Sequence, residues 1–222
     1  MISEIDLSEM SGVNCYCSDE AAVILRERAS EAGYRGIHLL GSGNYHYLSL
    51  FFLELIKEDF SLLLIDHHPD CEKGAFEDGD SSILSCGNWV RVAKKKVKNL
   101  KKVYCFGTDE GLFSQALRDD PSIQGFAFLI RDPSEIEKGL PLYLSIDKDA
   151  LSQEFCVTDW DQGDMSFSTL SGFLKETGKE HFIIGADICG NTIRPSSSDI
   201  LKKNKDTDQK VIDLLFEAFS FS

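Results

Sequence analysis

Positive charge is scarce in this sequence: 23 Lys and Arg stand against 37 Asp and Glu, a formal net charge of −14 over 222 residues. So acidic a chain repels nucleic acid and anionic membrane surfaces, and neither is expected as a partner. The one basic cluster, residues 94–102 (KKKVKNLKK), has helical spacing and reads as a solvated helix face. No run of about 18 apolar residues is present, so no membrane-spanning helix is expected. The start, MISEIDLSEM, has neither the basic opening nor the apolar core of a signal peptide. The seven cysteines (15, 17, 71, 86, 105, 156 and 189) lack the paired spacing of a zinc ribbon, and Cys15 and Cys17 are too close for a normal disulfide. Several sit in apolar stretches, as Cys105 does between Tyr104 and Phe106, where a reduced thiol packs as a small hydrophobe. A reducing, cytoplasmic setting is expected. Repeats, low-complexity tracts and linkers are missing too, so residues 1–222 read as a single domain.

What is present is a globular composition, 42% hydrophobic and 27% charged, enough for an ordered core. Short two-sidedly apolar runs at 36–40, 62–65, 103–106, 125–130, 142–146 and 182–186 suit strands buried on both faces of a parallel sheet. Between them lie helical patterns: one opening at Ser18, a candidate N-cap, and running to about 31, then 47–57, 88–100, 110–117, 168–177 and 208–219. The alternation predicts βαβ units in a three-layer α/β/α sandwich with a mostly parallel central sheet. The polar, lysine-rich stretch 196–208 reads as an exposed loop.

Ligands of such sheets gather beyond the carboxyl ends of the strands. Three predicted strands run into Asp66, Asp147 and Asp187, and a fourth into Gly41-Ser42-Gly43 ahead of His46. In Asp66-His67-His68-Pro69-Asp70, residues i and i+2 of an extended segment project to one side, and Pro69 favours a turn that brings Asp70 round. Asp147-Lys148-Asp149 repeats the i, i+2 pattern. His46, Asp66, His68, Asp70, Asp147 and Asp149 thus form a hard O/N set suited to Mn²⁺ and usable by Zn²⁺, Fe²⁺ or Co²⁺. Four packed aspartates would repel, and two divalent ions about 3.5–4 Å apart would neutralise them and orient a shared water for attack. Any single Asp here could be a helix cap; three motifs, each at a predicted strand end, favour a metal cage. His67, between two ligands, should face away as a structural histidine, and His38 and His181 read the same way. Thr108 or Asp109 reads as a helix N-cap, and Asp187 as a cap or a buttress to a ligand.

The order Gly-x-x-His, Asp-x-His-x-Asp, Ser-x-Asp-x-Asp over about 36–190 resembles the arginase/agmatinase/formiminoglutamase (ureohydrolase) superfamily, as a divergent member. The resemblance implies a parallel α/β/α sandwich and hydrolysis of a C–N bond in a guanidino, amidino or formimino small molecule by a metal-bridging hydroxide. It assigns His46 and Asp70 to one of two Mn²⁺ ions per chain, His68 and Asp149 to the other, and Asp66 and Asp147 to both. Asp70 would also be catalytic, passing a proton to the leaving amine. Oligomers are common among such proteins, so a homo-oligomer of unspecified stoichiometry is compatible with the resemblance.

Departures concentrate in the substrate shell. Cys189-Gly190 stands where the family carries a guanidinium-gripping glutamate, and Val90 where arginases place a shuttling histidine. Arginase activity itself is therefore not expected. The acidic segment Thr158-Asp159-Trp160-Asp161 reads either as a solvated loop or as the replacement, with Asp159 or Asp161 and the Trp160 face accepting a cationic or amidine-like substrate; Asn88 is a further candidate contact. Two alternatives stay open: a metal-binding pseudoenzyme, and a phosphoesterase, because Asp66-His67-His68 also resembles the DHH signature, although no Asp-x-Asp motif precedes it.

Overall fold

The computed structural model describes residues 1–7, 9–73 and 83–219. Among the described residues seven strands form, mostly where the chain is apolar on both faces: β1 (Ile2–Glu4), β2 (Ile37–Leu39), β3 (Phe60–Ile65), β4 (Leu100–Phe106), β5 (Ala127–Ile130), β6 (Leu142–Asp147) and β7 (Ile183–Cys189). All pairings are parallel, in the order β1-β2-β7-β6-β3-β4-β5. Side chains alternate across the sheet: Leu62 and Leu64 enter one buried cluster, and Leu63 and Ile65 the other.

Helices α1 (Asp19–Ala32), α2 (Leu48–Leu53), α3 (Trp89–Lys96) and α4 (Glu110–Asp119) cover the first face. They contribute Leu25, Phe51, Trp89 and Phe113 to its core. Helices α5 (Phe167–Glu180) and α6 (Ser198–Ala218) cover the second with Leu170, Leu174, Val211 and Leu215. The result is the three-layer α/β/α sandwich that the sequence pattern predicts. Ser18 caps α1 by accepting from Ala21 N–H at 3.1 Å, and Asp109 caps α4 by accepting from Leu112 N–H at 2.9 Å.

Three expectations need correction. Strand β1 was not anticipated, because a three-residue edge strand has too short a pattern to stand out. The 94–102 lysine run is not one helix face: α3 ends at Lys96, Val97 leaves helical geometry (φ −97, ψ 89), and Lys101 and Lys102 lie in β4. Lys94–Lys96 then occupy the last turn of α3, where the helix dipole favours cations. Finally, most of 196–208 is the start of α6, capped by Ser197, with Asn204 and Thr207 buried. Its lysines face outward, so a polar sequence conceals an amphipathic helix.

Candidate metal centre

Strands β2, β7, β6 and β3 lie side by side in the sheet, so their carboxyl ends open onto one spot. After β2, Ser42 accepts from Asn44 N–H at 3.2 Å and starts the tight turn Gly43–Tyr45, which delivers His46. After β3, Asp66 and His68 follow directly, and Asp70 is turned back with a positive φ of 48°. A non-glycine residue held there is strained, a cost of order 1–3 kcal/mol that accompanies functional geometry. Strand β6 ends in Asp147, and the turn Lys148–Ala150 follows.

The six residues singled out from the sequence meet at this rim. His46 Nδ1 lies 2.8 Å from Asp70 Oδ2, 3.2 Å from Asp66 Oδ2 and 3.6 Å from Asp147 Oδ2. His68 Nδ1 lies 2.9 Å from Asp149 Oδ2 and 3.6 Å from Asp66 Oδ1. Asp66 therefore presents one oxygen to each imidazole. Asp147 turns Oδ2 toward His46, and its Oδ1 accepts from Asp149 N–H at 3.0 Å. Lys148, between the two aspartates, points the other way and is fully buried, with Nζ donating to Asn191 Oδ1 at 2.6 Å and pairing with Asp208. His67 likewise leaves the cage and lies half-buried beside Gly163.

The electrostatics of the rim call for positive charge. Burial, with Asp70 beside Asp66 and Asp149 beside Asp147, raises the pKa of Asp66 and Asp147; burial also raises that of Asp70, and burial with Asp66 nearby takes Asp149 to about 6. Burial would depress the imidazoles, yet Cys189, Asp66 and Asp70 hold His46 well above its ordinary value, and Asp149 and Asp66 carry His68 to about 11. Asp66 Oδ2 is buried and accepts no hydrogen bond among the described residues. Four carboxylates and two imidazoles with a spare buried oxygen fit a pair of divalent cations.

Behind the rim runs a buried polar row that ends at Asp187. His46 Nε2 meets Ser145 Oγ at 2.8 Å, and Ser145 donates to Asp187 Oδ1 at 2.7 Å, as Ser49 does at 3.0 Å. A proton on Nε2, shared with Ser145, leaves the Nδ1 lone pair facing the rim for a cation, as the partners of metal-bound histidines do. Burial raises the Asp187 pKa to about 6. Trp89 donates its indole N–H to Asp70 Oδ2 at 2.5 Å, and Thr108 donates to the Asp66 carbonyl at 2.8 Å. Ser145 is the serine of the Ser-x-Asp-x-Asp motif, whereas Ser49, in α2, and the core residue Trp89 carry no signal of their own in the sequence.

The rim floors a cavity of about 210 Å³ whose walls include Tyr16, Glu72, Cys86 and Trp160, with no Lys or Arg among the described lining residues. Of the five expected substrate contacts, only Trp160 lines it; its indole N–H donates to Asn44 Oδ1 at 2.7 Å. Asn88 is spent on the 83–88 turn, accepting from Ser85 N–H at 2.8 Å and donating to the Ile83 carbonyl at 2.8 Å. Asp159 pins neighbouring loops, accepting from Ile193 N–H at 2.8 Å and from Thr192 and Ser42. Thr158 hydrogen-bonds the Trp160 carbonyl at 3.0 Å, and Asp161 is exposed outside the cavity lining. Glu72 is the cavity-wall carboxylate that the sequence reading missed. Gly190 has a φ of +94°, and a Cβ there would fall 2.4 Å from Asp147 Oδ1 and 2.6 Å from Lys148 N. A glutamate at 190 has no room on this backbone. Val90 is buried, and its N–H donates to the Asp70 carbonyl at 3.1 Å.

A parallel α/β/α sandwich with a carboxylate–imidazole rim at its carboxyl edge defines an arginase-like fold, and solved structures agree. The chain superposes on a Mn²⁺-bound triple mutant of the T. brucei arginase-like protein with a TM-score of 0.60 at 21% identity, covering 98% of this chain and 72% of that one. A hypothetical agmatinase of Burkholderia thailandensis gives 0.59 at 18%, covering 91% and 68%. Proclavaminate amidino hydrolase of Streptomyces clavuligerus gives 0.63 at 11%, covering 93% and 71%. At these identities the likeness establishes the fold. No protein-family profile matches the chain. An uncharacterized protein of Thermotoga maritima is 35% identical over 158 residues, and the match spans 70% of this chain and 58% of that relative's length. Among the described residues no helix is long and apolar enough to cross a membrane.

Proposed function

We propose that the chain is a divergent member of the ureohydrolase superfamily, a binuclear metal hydrolase acting on a C–N bond of a guanidino, amidino or formimino small molecule. One observation carries the reading: Asp66 presents an oxygen to each of two imidazole–carboxylate groups, at the carboxyl edge of an arginase-like sheet. His46, Asp66, Asp70 and Asp147 would hold one ion, and Asp66, His68 and Asp149 the other, with Mn²⁺ the expected metal and Zn²⁺, Fe²⁺ or Co²⁺ able to substitute. Two such ions, when bound, lower the pKa of a shared water and polarise the carbon it attacks.

The chain's own groups do the rest. Asp70, with its Oδ2 fixed by the Trp89 indole and facing the rim, takes the proton from the attacking water and passes it to the departing nitrogen. The described cavity walls bring Glu72 and two aromatic faces and no Lys or Arg, which favours a substrate that is positively charged or neutral and has no carboxylate of its own. The arginase-like fold favours this reading over a DHH phosphoesterase, as does the position of His67 outside the cage.

The crowding at Gly190 favours a second reading, a metal-holding protein without turnover. One assay separates the two. Protein loaded with Mn²⁺ is incubated with a panel of alkylguanidines, amidines and formimino compounds, and urea, ammonia or formamide is measured. Release from one class supports the hydrolase; full metal occupancy with no release from any supports the silent relative.

A further inference from the structure

The rim holds a soft donor that an oxygen-and-nitrogen cage does not need. Cys189 ends β7 in register with Asp147 at the end of β6, and it is 1% exposed. Its Sγ lies 3.1 Å from Asp147 Oδ2, and donor atoms of Cys189, Asp147 and His46 all fall within 4.8 Å of one another. Ligands of a single ion have this spacing, given metal–sulfur distances of about 2.3 Å and metal–nitrogen or metal–oxygen distances of about 2.0–2.2 Å. The Asp147 oxygen involved is the one not spent on Asp149 N–H. A second, independent observation points to the same spot: Asp66 Oδ2, buried and without a hydrogen bond, lies 3.2 Å from His46 Nδ1. The grouping around His68 contains Asp66 and Asp149 and no sulfur.

We propose that Cys189 is a thiolate ligand of the ion at His46, so that the two metal positions differ in kind. The inference rests on the metal-centre reading above. The His46 position, with sulfur, nitrogen and oxygen donors, selects Zn²⁺, Co²⁺ or Fe²⁺ over Mn²⁺, while the His68 position, with nitrogen and oxygen only, accepts Mn²⁺. As the ion enters, the thiol loses to solvent the proton it now shares with Asp147, and sulfur donates its electron pair. Gly190 makes this possible, because a side chain there would displace the Asp147 carboxylate that Cys189 touches.

The test is cobalt loading of the full chain, with bound metal counted by elemental analysis and near-ultraviolet absorption recorded. A sulfur-to-cobalt charge-transfer band is expected, saturating at one of two bound equivalents. The band should vanish in Cys189→Ser and Cys189→Ala and persist in Cys86→Ser, whose thiol also lines the cavity. In competition, Cys189→Ser should lower the Zn²⁺-over-Mn²⁺ preference by about tenfold or more. X-ray absorption of the zinc-loaded wild type reads the same ligand with no variant at all, as one sulfur at about 2.3 Å. Two bound cobalt ions with no band, no sulfur in the zinc shell, or a band lost only in Cys86→Ser overturns the inference and leaves the metal centre standing. No bound cobalt overturns both.

Discussion

The two halves of the rim share imidazole and carboxylate donors, but their surroundings differ, and Cys189 lies beside the His46 half. The His46 side chain is 2% exposed and is backed by Ser145, while Trp89 secures its partner Asp70. The His68 side chain is 21% exposed and turns an edge toward Trp160 at the cavity wall. One half is fixed by the core; the other is where a small molecule can enter. Burial thus divides the rim along the same line as the Cys189 donor: the inner half is held by the core, and the outer half opens on the cavity.

Asp66 joins the halves, so its removal should have the largest effect. Asp66→Ala is expected to lower affinity at both positions, by about 100-fold or more at each, since even outer partners of metal ligands are worth 10–100-fold. Isothermal titration with Mn²⁺ reads both sites; loss at one site alone would show that Asp66 does not bridge. Ser145→Ala tests the inner half by itself. It strips His46 Nε2 of its partner and should weaken one site by about 10–100-fold with the other unchanged. Equal weakening of both would remove the distinction drawn here.

A smaller effect concerns the polar row one strand farther from the rim. His38 pairs in register with Asp187, hydrogen-bonds Ser3 at 2.7 Å and stacks on Phe52 at 4.1 Å. Burial lowers its pKa to about 4. The unfolded chain, at about 6.5, takes up the proton first, so stability is lost as pH falls from about 6.5 to 4, by up to about 3 kcal/mol. Urea midpoints of wild type and His38→Gln, compared from pH 7.5 to 4.5, isolate this contribution. The comparison is needed because Asp187, with its raised pKa, acts in the opposite sense. A wild-type-minus-variant difference that stays flat with pH would contradict a neutral buried His38.

The sheet and the rim were legible because both depend on local pattern. Apolar runs of strand length ending in Asp say where strands stop, and the i, i+2 spacing of Asp66/His68 and Asp147/Asp149 says which side chains share a side. The cavity walls were not legible, because they are built from long-range neighbours. Asp159 looked like a substrate contact from its acidic, aromatic context, but its oxygens are taken by Ile193 and Thr192, more than thirty residues away. Ser49 has no sequence signal, and the contacts of Ser145 and Cys189 appear only once the sheet order sets β7 beside β6 and α2 across them. The first turns of α6 are mostly polar and carry no helical signal of their own; among them Asn204 and Thr207 mark the side that packs.

The account rests on two cations held per chain, unequal in burial. Elemental analysis of protein purified without chelator and then saturated with Mn²⁺ or Zn²⁺ measures this most directly. The expected result is two ions per chain, with slower chelator release of the one at the buried His46 side. Zero or one ion per chain, or two released at a single rate, would contradict it.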